Sequence, residues 1–288
     1  MSAPLAPEVL GLLAEVSLEG SLVLLLGQAL ASRLDAPEQR HRVRALSLAA
    51  LPVLALIELG WGGRPVLGLA EPLLAIWAVG MLVVGARLAL SLVALVRATI
   101  GARRGPEGLL YSPDVAVPLT WGALRPVALM PLSSLAWTRQ ERQLAALHER
   151  AHILRGDWLV QVGTQLVAVV FWFHPLLWWT RRGLLLDAEL AADRRVLEDG
   201  AVPTAYARHL LERCAELRSG VAATASSGPS QLGVRVRALL EPGVASARSG
   251  PALGLTALFA LGLLLAAGKL SPLPDPPPPD CRPDLESS

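Results

Sequence analysis

The sequence predicts a mainly α, polytopic membrane protein carrying a smaller α+β unit on one side of the bilayer. Two observations of composition point there. Hydrophobic residues make up 53% of the 288, and mean hydropathy is +0.47, well above a soluble domain. Several apolar runs are also long enough to cross a bilayer, and between them, from Gly101 onward, the chain becomes punctuated by Pro and Gly. A net charge of only +2 argues against direct nucleic-acid binding, and of the 26 basic residues only Lys269 is lysine, a bias of genomic base composition. Cys214 and Cys281 form neither a zinc-knuckle spacing nor a disulfide framework. The topology below puts them on opposite sides of the membrane.

The N-terminus, MSAPLAPE, lacks the basic start of a cleaved signal, so no cleavage is expected. Residues 1–98 are predicted to hold three transmembrane helices. The first, about Val9 to Leu34, contains Glu15 and Glu19. A charge at the helix centre costs about 2.5–3.5 kcal/mol, and each Leu or Val returns about 0.3–0.6. Glu15 is therefore expected near the outer interface and Glu19 facing other helices. After a basic connector, Asp35 to Arg44, the second span covers about Ala45 to Leu59. The third runs from Pro72 to about Ala94, with Arg87 late enough to snorkel. The arginine bias (Arg33, Arg40, Arg42 and Arg44 against Arg64) puts the N-terminus outside and the chain after Arg97 inside.

The inside unit is predicted to span 99–250. Tyr111 to Pro131 reads as two short strands with a turn at Gly122, and the prolines at 118, 126 and 131 argue for edge positions. Thr138-Arg-Gln-Glu141 reads as a capping box that starts a helix, which Gly156 stops. That helix carries His148-Glu149-Arg150-Ala151-His152, read as H-E-x-x-H. Histidines at i and i+4 share one helical face, so both imidazoles can reach a single ion, and zinc favours such donors. Glu149 sits where it can take a proton from water at the ion.

Asp157 can cap the next helix. Trp158 to Trp179 is strongly apolar and long enough to span, yet a spanning helix would carry the following segment to the other face. That following segment, Asp187-Ala-Glu189-Leu-Ala-Ala-Asp193, offers Glu189 as a third ligand and Asp193, one turn on, as a hydrogen-bond partner for a ligating imidazole. Together these residues predict a gluzincin-type α+β zinc metallopeptidase domain with one Zn2+ per chain. The ligand set requires 158–179 to dip in, to lie along the interface, or to turn back at Pro175. Thr204 to Arg218 reads as an amphipathic helix, where Tyr206 and His209 are candidate transition-state donors. A linker, 219–230, precedes a short basic helix around Val234 to Leu240. Residues 251–270 hold the last span, with Ala252 to Leu270 its apolar run, and 271–288 is a proline-rich outer tail expected to be disordered.

Beyond H-E-x-x-H, the runs HERAHILRGDWLVQ, FWFHPLLWW and DAELAAD resemble the integral-membrane metallopeptidases of the BlaR/MecR type, the antirepressors of inducible β-lactam resistance. The resemblance covers about Ser112 to Leu240 by motif and nearly the whole chain by topology. It implies a multi-pass protein of the bacterial inner membrane with a cytoplasmic protease domain. By the same resemblance His148, His152 and Glu189 are zinc ligands, Glu149 is the catalytic base, and Asp193 supports a ligand. The resemblance implies as substrate a cytoplasmic regulator such as a transcriptional repressor, or the protease itself; the bilayer is the other expected partner, and a homodimer is left open. Two departures stand out. His174 occupies a position where the family has Asn, leaving a third nitrogen ligand or a structural histidine as alternatives. Where the family carries a penicillin-binding sensor after the last span, this sequence shows only the short tail, so no β-lactam sensor is expected. Two other classes compete with the peptidase: a non-enzymatic membrane signalling or scaffold protein retaining a metal site, and a transporter using Glu15, Glu19 and Arg87.

Overall fold

A computed structural model describes residues 5–61, 70–219 and 229–241. The expected last span and tail, the loop around Arg64, most of the 219–230 linker and Cys281 lie outside the described residues. The chain is mainly helical, as predicted, with eight α-helices and one small sheet among the described residues. The helices are α1 (Leu5–Ala31), α2 (Pro37–Trp61), α3 (Ala70–Ile100), α4 (Arg139–Arg155), α5 (Asp157–Val170), α6 (Pro175–Glu198), α7 (Pro203–Ser219) and α8 (Pro229–Leu240). The strands are β1 (Arg103–Arg104), β2 (Leu110–Ser112), β3 (Leu119–Trp121) and β4 (Val127–Pro131).

Among the described residues, two helical stretches are long and apolar enough to cross a membrane, Glu8–Ala31 and Pro72–Ile100. Leu82 and Leu90 on α3 are 71% and 69% exposed, a surface that suits lipid rather than water. The expected second span lies within α2, whose first two turns carry Glu38, Arg40, Arg42 and Arg44. α2 is not among the helices long and apolar enough to cross a membrane, and Arg40 and Arg44 pair with Asp187 of α6. α1 and α2 pack closely where Gly20 meets Leu51 and Gly27 meets Ser47, and a Cβ at either glycine would clash with its neighbour's side chain.

The apolar run after the H-E-x-x-H helix is a helical hairpin. α5 ends at Val170, Phe171 to His174 turn the chain, and Pro175 opens α6, where its missing N–H costs nothing. Tryptophans pin the tip. Trp77 of α3 donates to the Val170 carbonyl at 2.8 Å, Trp172 donates back to the Trp77 carbonyl at 3.1 Å, and Trp178 donates to the Trp172 carbonyl at 2.7 Å. His174, buried at the tip, has its Nε2 3.2 Å from both the Ser17 carbonyl and Ser21 Oγ of α1. It is a contact between hairpin and membrane helix, and the histidine pair of α4 gathers without it. The hairpin's base lies against α2 and α4, so α6 returns Glu189 to the side from which α5 departed. The chain therefore turns back at Pro175, one of the arrangements that the ligand set allows.

The sheet order is β1-β2-β4-β3, with β2 and β4 parallel and the other pairs antiparallel. β4 is therefore central, which corrects the expectation that both strands of the Gly122 hairpin sit at an edge. Pro126 and Pro131 bracket β4, leaving the N–H groups of Val127 to Met130 free for the ladder. β3 and β1 are the edge strands, and Gly122 makes the β3–β4 turn at φ 104°. Tyr111, Met130, Trp137 and Ala145 pack the sheet onto α4. A second apolar cluster, Leu144, Val196, Tyr206, Ala207 and Leu239, joins α4, α6, α7 and α8.

Candidate metal centre

The helix bearing the motif begins and ends where its sequence dictates. Thr138 Oγ1 accepts the Glu141 N–H at 3.3 Å, and the Glu141 carboxylate accepts the Thr138 N–H at 2.7 Å, completing the capping box. Gly156, at φ 68°, terminates it in the left-handed conformation. Between these ends His148 and His152 project from one face. Their Nε2 atoms are 3.1 Å apart, and Glu189 closes the triangle: Oε2 is 3.4 Å from His148 Nε2 and Oε1 is 3.7 Å from His152 Nε2.

These spacings fit a metal. Donors about 2.0–2.1 Å from one ion at a tetrahedral angle stand roughly 3.3–3.4 Å from each other. The second nitrogen of each ring is spoken for. His152 Nδ1 donates to Asp157 Oδ2 at 2.7 Å, while His148 Nδ1 faces Tyr206 Oη at 2.9 Å and Asp193 Oδ1 at 3.2 Å. Acceptors at both Nδ1 atoms hold the protons there and turn two Nε2 lone pairs towards one point. Only a cation between them makes that arrangement favourable. A proton can play that part: burial disfavours a charged His148, but hydrogen bonds to Asp193 and Glu189 outweigh it and push its pKa up to about 10.

The acids are ionised to match. Burial opposes the charge on Glu189, but Arg235 and the two histidines hold it well below the usual carboxylate range. Asp193 is likewise brought down to about 2 by Arg235 and His148, against the effect of burial. Glu149 is 6% exposed, and Thr120 Oγ1 of edge strand β3 donates to its Oε2 at 2.6 Å. β3 is itself fastened to the end of α3, because Trp121 Nε1 donates to Thr99 Oγ1 at 2.8 Å.

The chain thus brings together His148, His152, Glu189, Glu149 and Asp193. Tyr206 and His209, candidate transition-state donors from the sequence, stand elsewhere. Tyr206 lies on the Nδ1 side of His148, away from the ligand nitrogen, and gives its proton to Asp193 Oδ1 at 2.7 Å. It orients the imidazole. His209 packs edge-on against Trp137 with ring centroids 5.6 Å apart. Burial, then the charge of Arg213, lowers its pKa to about 4 and keeps it neutral at pH 7.

Three residues were not assigned these roles from sequence. Asp157, which the sequence offers as a helix cap, is instead the first residue of α5, and its carboxylate serves His152. Its position just past a left-handed glycine, five residues after the histidine, is the signal that could have found it. Thr120 and Arg235 have no local signature. Asp157→Ala should weaken zinc binding by about 10–100-fold, read by competition with a chromophoric chelator. Asp157→Asn, which keeps an acceptor oxygen, should retain most of the affinity. Equal affinity for wild type and Asp157→Ala would mean that other contacts fix the ring.

Apolar helices of membrane-crossing length, together with a His–His–Glu cluster able to hold a metal ion, are the features expected of a membrane metallopeptidase. Residues 65–239, more than half of the chain, match the family described as BlaR1 peptidase M56. The chain belongs to that family, which bears out the resemblance read from its motifs. It is also similar to the regulatory protein BlaR1 of Bacillus licheniformis, with 31% identity over 90 residues. That stretch is 31% of this chain and 15% of the Bacillus protein, so the chain matches only a small part of its relative's length.

Proposed function

We propose that this protein is a multi-pass membrane zinc metalloendopeptidase of the gluzincin type. Its active site faces the cytoplasm, and its substrate is a cytoplasmic regulatory protein such as a transcriptional repressor, or the protease itself. The observation that carries the reading is the convergence of His148, His152 and Glu189 within 3.1–3.7 Å beside the buried carboxylate of Glu149. The cytoplasmic side follows from the arginines at the α1–α2 junction and after α3.

A zinc ion held by His148, His152 and Glu189 would acidify water and polarise a peptide carbonyl. The chain's own residues do the rest. Glu149 receives the proton of the attacking water and delivers it to the leaving amine. Thr120 holds that carboxylate in place, and its own strand, β3, pairs only with β4 among the described strands. An extended substrate adding to the free edge of β3 would run past Glu149, its main chain held by ladder hydrogen bonds. Asp157, Asp193 and Tyr206 keep both imidazoles in the tautomer that offers Nε2.

The test is zinc per chain in detergent-purified protein, for wild type beside Glu189→Ala. About one zinc per chain, lost or much weakened in the variant, is the expected result. No zinc in wild type purified without chelators would sink the metallopeptidase reading.

A further inference from the structure

One residue ties the metal centre to the last described helix. Arg235 of α8 is 8% exposed and spends its guanidinium on two carboxylates of α6. Its Nε and Nη2 donate to Asp193 Oδ2 and Oδ1, each at 2.7 Å, and its Nη1 stands 2.8 Å from Glu189 Oε2. The planar fork matches Asp193 in a bidentate pair while the remaining nitrogen reaches the third ligand. α8 is seated by Leu239 and Val236 in the cluster that contains Tyr206 and Leu144.

We propose that Arg235 is a positioning residue of the metal centre, holding the Glu189 carboxylate against the two histidines so that docking of α8 and loading of the metal are coupled. This rests on the metal-site reading above. The Glu189 side chain is 31% exposed and has several rotatable bonds, so without a partner it must be ordered by the ion alone. Arg235 meets that ordering cost in advance. It grips the same oxygen, Oε2, that lies 3.4 Å from His148 Nε2, leaving Oε1 on the side of His152. Charge gives the same answer. Glu189 and Asp193 set two carboxylates side by side, and the one guanidinium pairs with both where an unpaired charge is costly. Because coupling free energies are reciprocal, zinc should secure α8 as much as α8 secures zinc.

The experiment uses the full chain in detergent, stripped by chelator and titrated with zinc against a chromophoric competitor. Cobalt(II) absorption reports the ligand set, and amide hydrogen exchange reports α8. Arg235→Ala should weaken zinc by about 10–100-fold and alter the cobalt spectrum as Glu189 is lost or displaced. Arg235→Lys, which keeps the charge but not the fork, should fall between. Arg237→Ala, an exposed change on the same helix, should match wild type. Zinc should slow exchange in α8 of wild type, and Arg235→Ala should abolish that effect. Wild-type affinity and spectrum in Arg235→Ala would overturn the proposal. If that variant does not fold, wild-type affinity in Arg235→Lys overturns it instead. A wild type that binds zinc while either variant is unaltered sinks this inference alone, whereas a wild type that binds none sinks the metal site with it.

Discussion

Glu149→Gln should abolish peptide hydrolysis and leave zinc in place. Glutamine has the size of glutamate, and its carbonyl oxygen can still accept the hydrogen bond that Thr120 Oγ1 gives to Oε2 at 2.6 Å. The buried position is therefore refilled without a cavity or an orphaned hydroxyl. What is lost is the ability to take a proton from water and return it to the leaving amine, a step worth at least about 10²–10⁴-fold. Fragments of β-casein and of the chain itself, counted by mass spectrometry, give the hydrolysis, and elemental analysis gives the metal. Cleavage at the wild-type rate by the variant would remove Glu149 from the chemistry. Zinc-loaded wild type with no cleavage under any condition would favour the rival scaffold reading, in which the metal only holds the helices together.

The parts of this site that were legible in the sequence are those fixed by local geometry. The Thr138 capping box, the Gly156 stop and the i, i+4 histidines all lie within one helix, where spacing determines who faces whom. Glu189 was legible only by its chemistry, because its position depends on a hairpin. Hydropathy cannot distinguish a 22-residue apolar run that crosses from one that turns, since both are equally apolar. The decisive contacts, Trp77 with Val170 and Trp172 with Trp77, join residues more than 90 apart in sequence. Separation in sequence also hid Arg235, 42 residues beyond Asp193. β4 was misplaced for a different reason. Proline frequency suggested an edge, but only a proline inside the ladder breaks it, and these stand at its ends.

Asp187→Ala should be the most damaging change outside the metal centre. This carboxylate, 3% exposed, lies two residues before Glu189 and faces α2. Arg40 Nε donates to its Oδ1 at 2.8 Å and Arg44 Nη1 donates to Oδ2. Arg40 also reaches the Asp35 carbonyl at 2.8 Å, and Arg44 reaches Gln28 Oε1 at 2.9 Å, so one aspartate holds the α1–α2 junction to α6. Gly183, one turn earlier, leaves the room: a Cβ there would stand 2.7 Å from Arg44 Cζ. Removing the carboxylate strands two guanidinium groups in a poorly solvated interface, which costs about 3–5 kcal/mol for a broken buried pair. Unfolding in mixed detergent micelles, followed by tryptophan fluorescence, measures the loss. Zinc affinity should fall with it, because α6 carries Glu189 on the same stretch of helix. Removing the charges together, Asp187→Ala with Arg40→Met and Arg44→Met, should recover most of the stability, since the penalty comes from uncompensated charge rather than from lost attraction. A single Asp187→Ala variant as stable as wild type would show that water reaches these arginines and that the α2–α6 contact rests on its apolar residues instead.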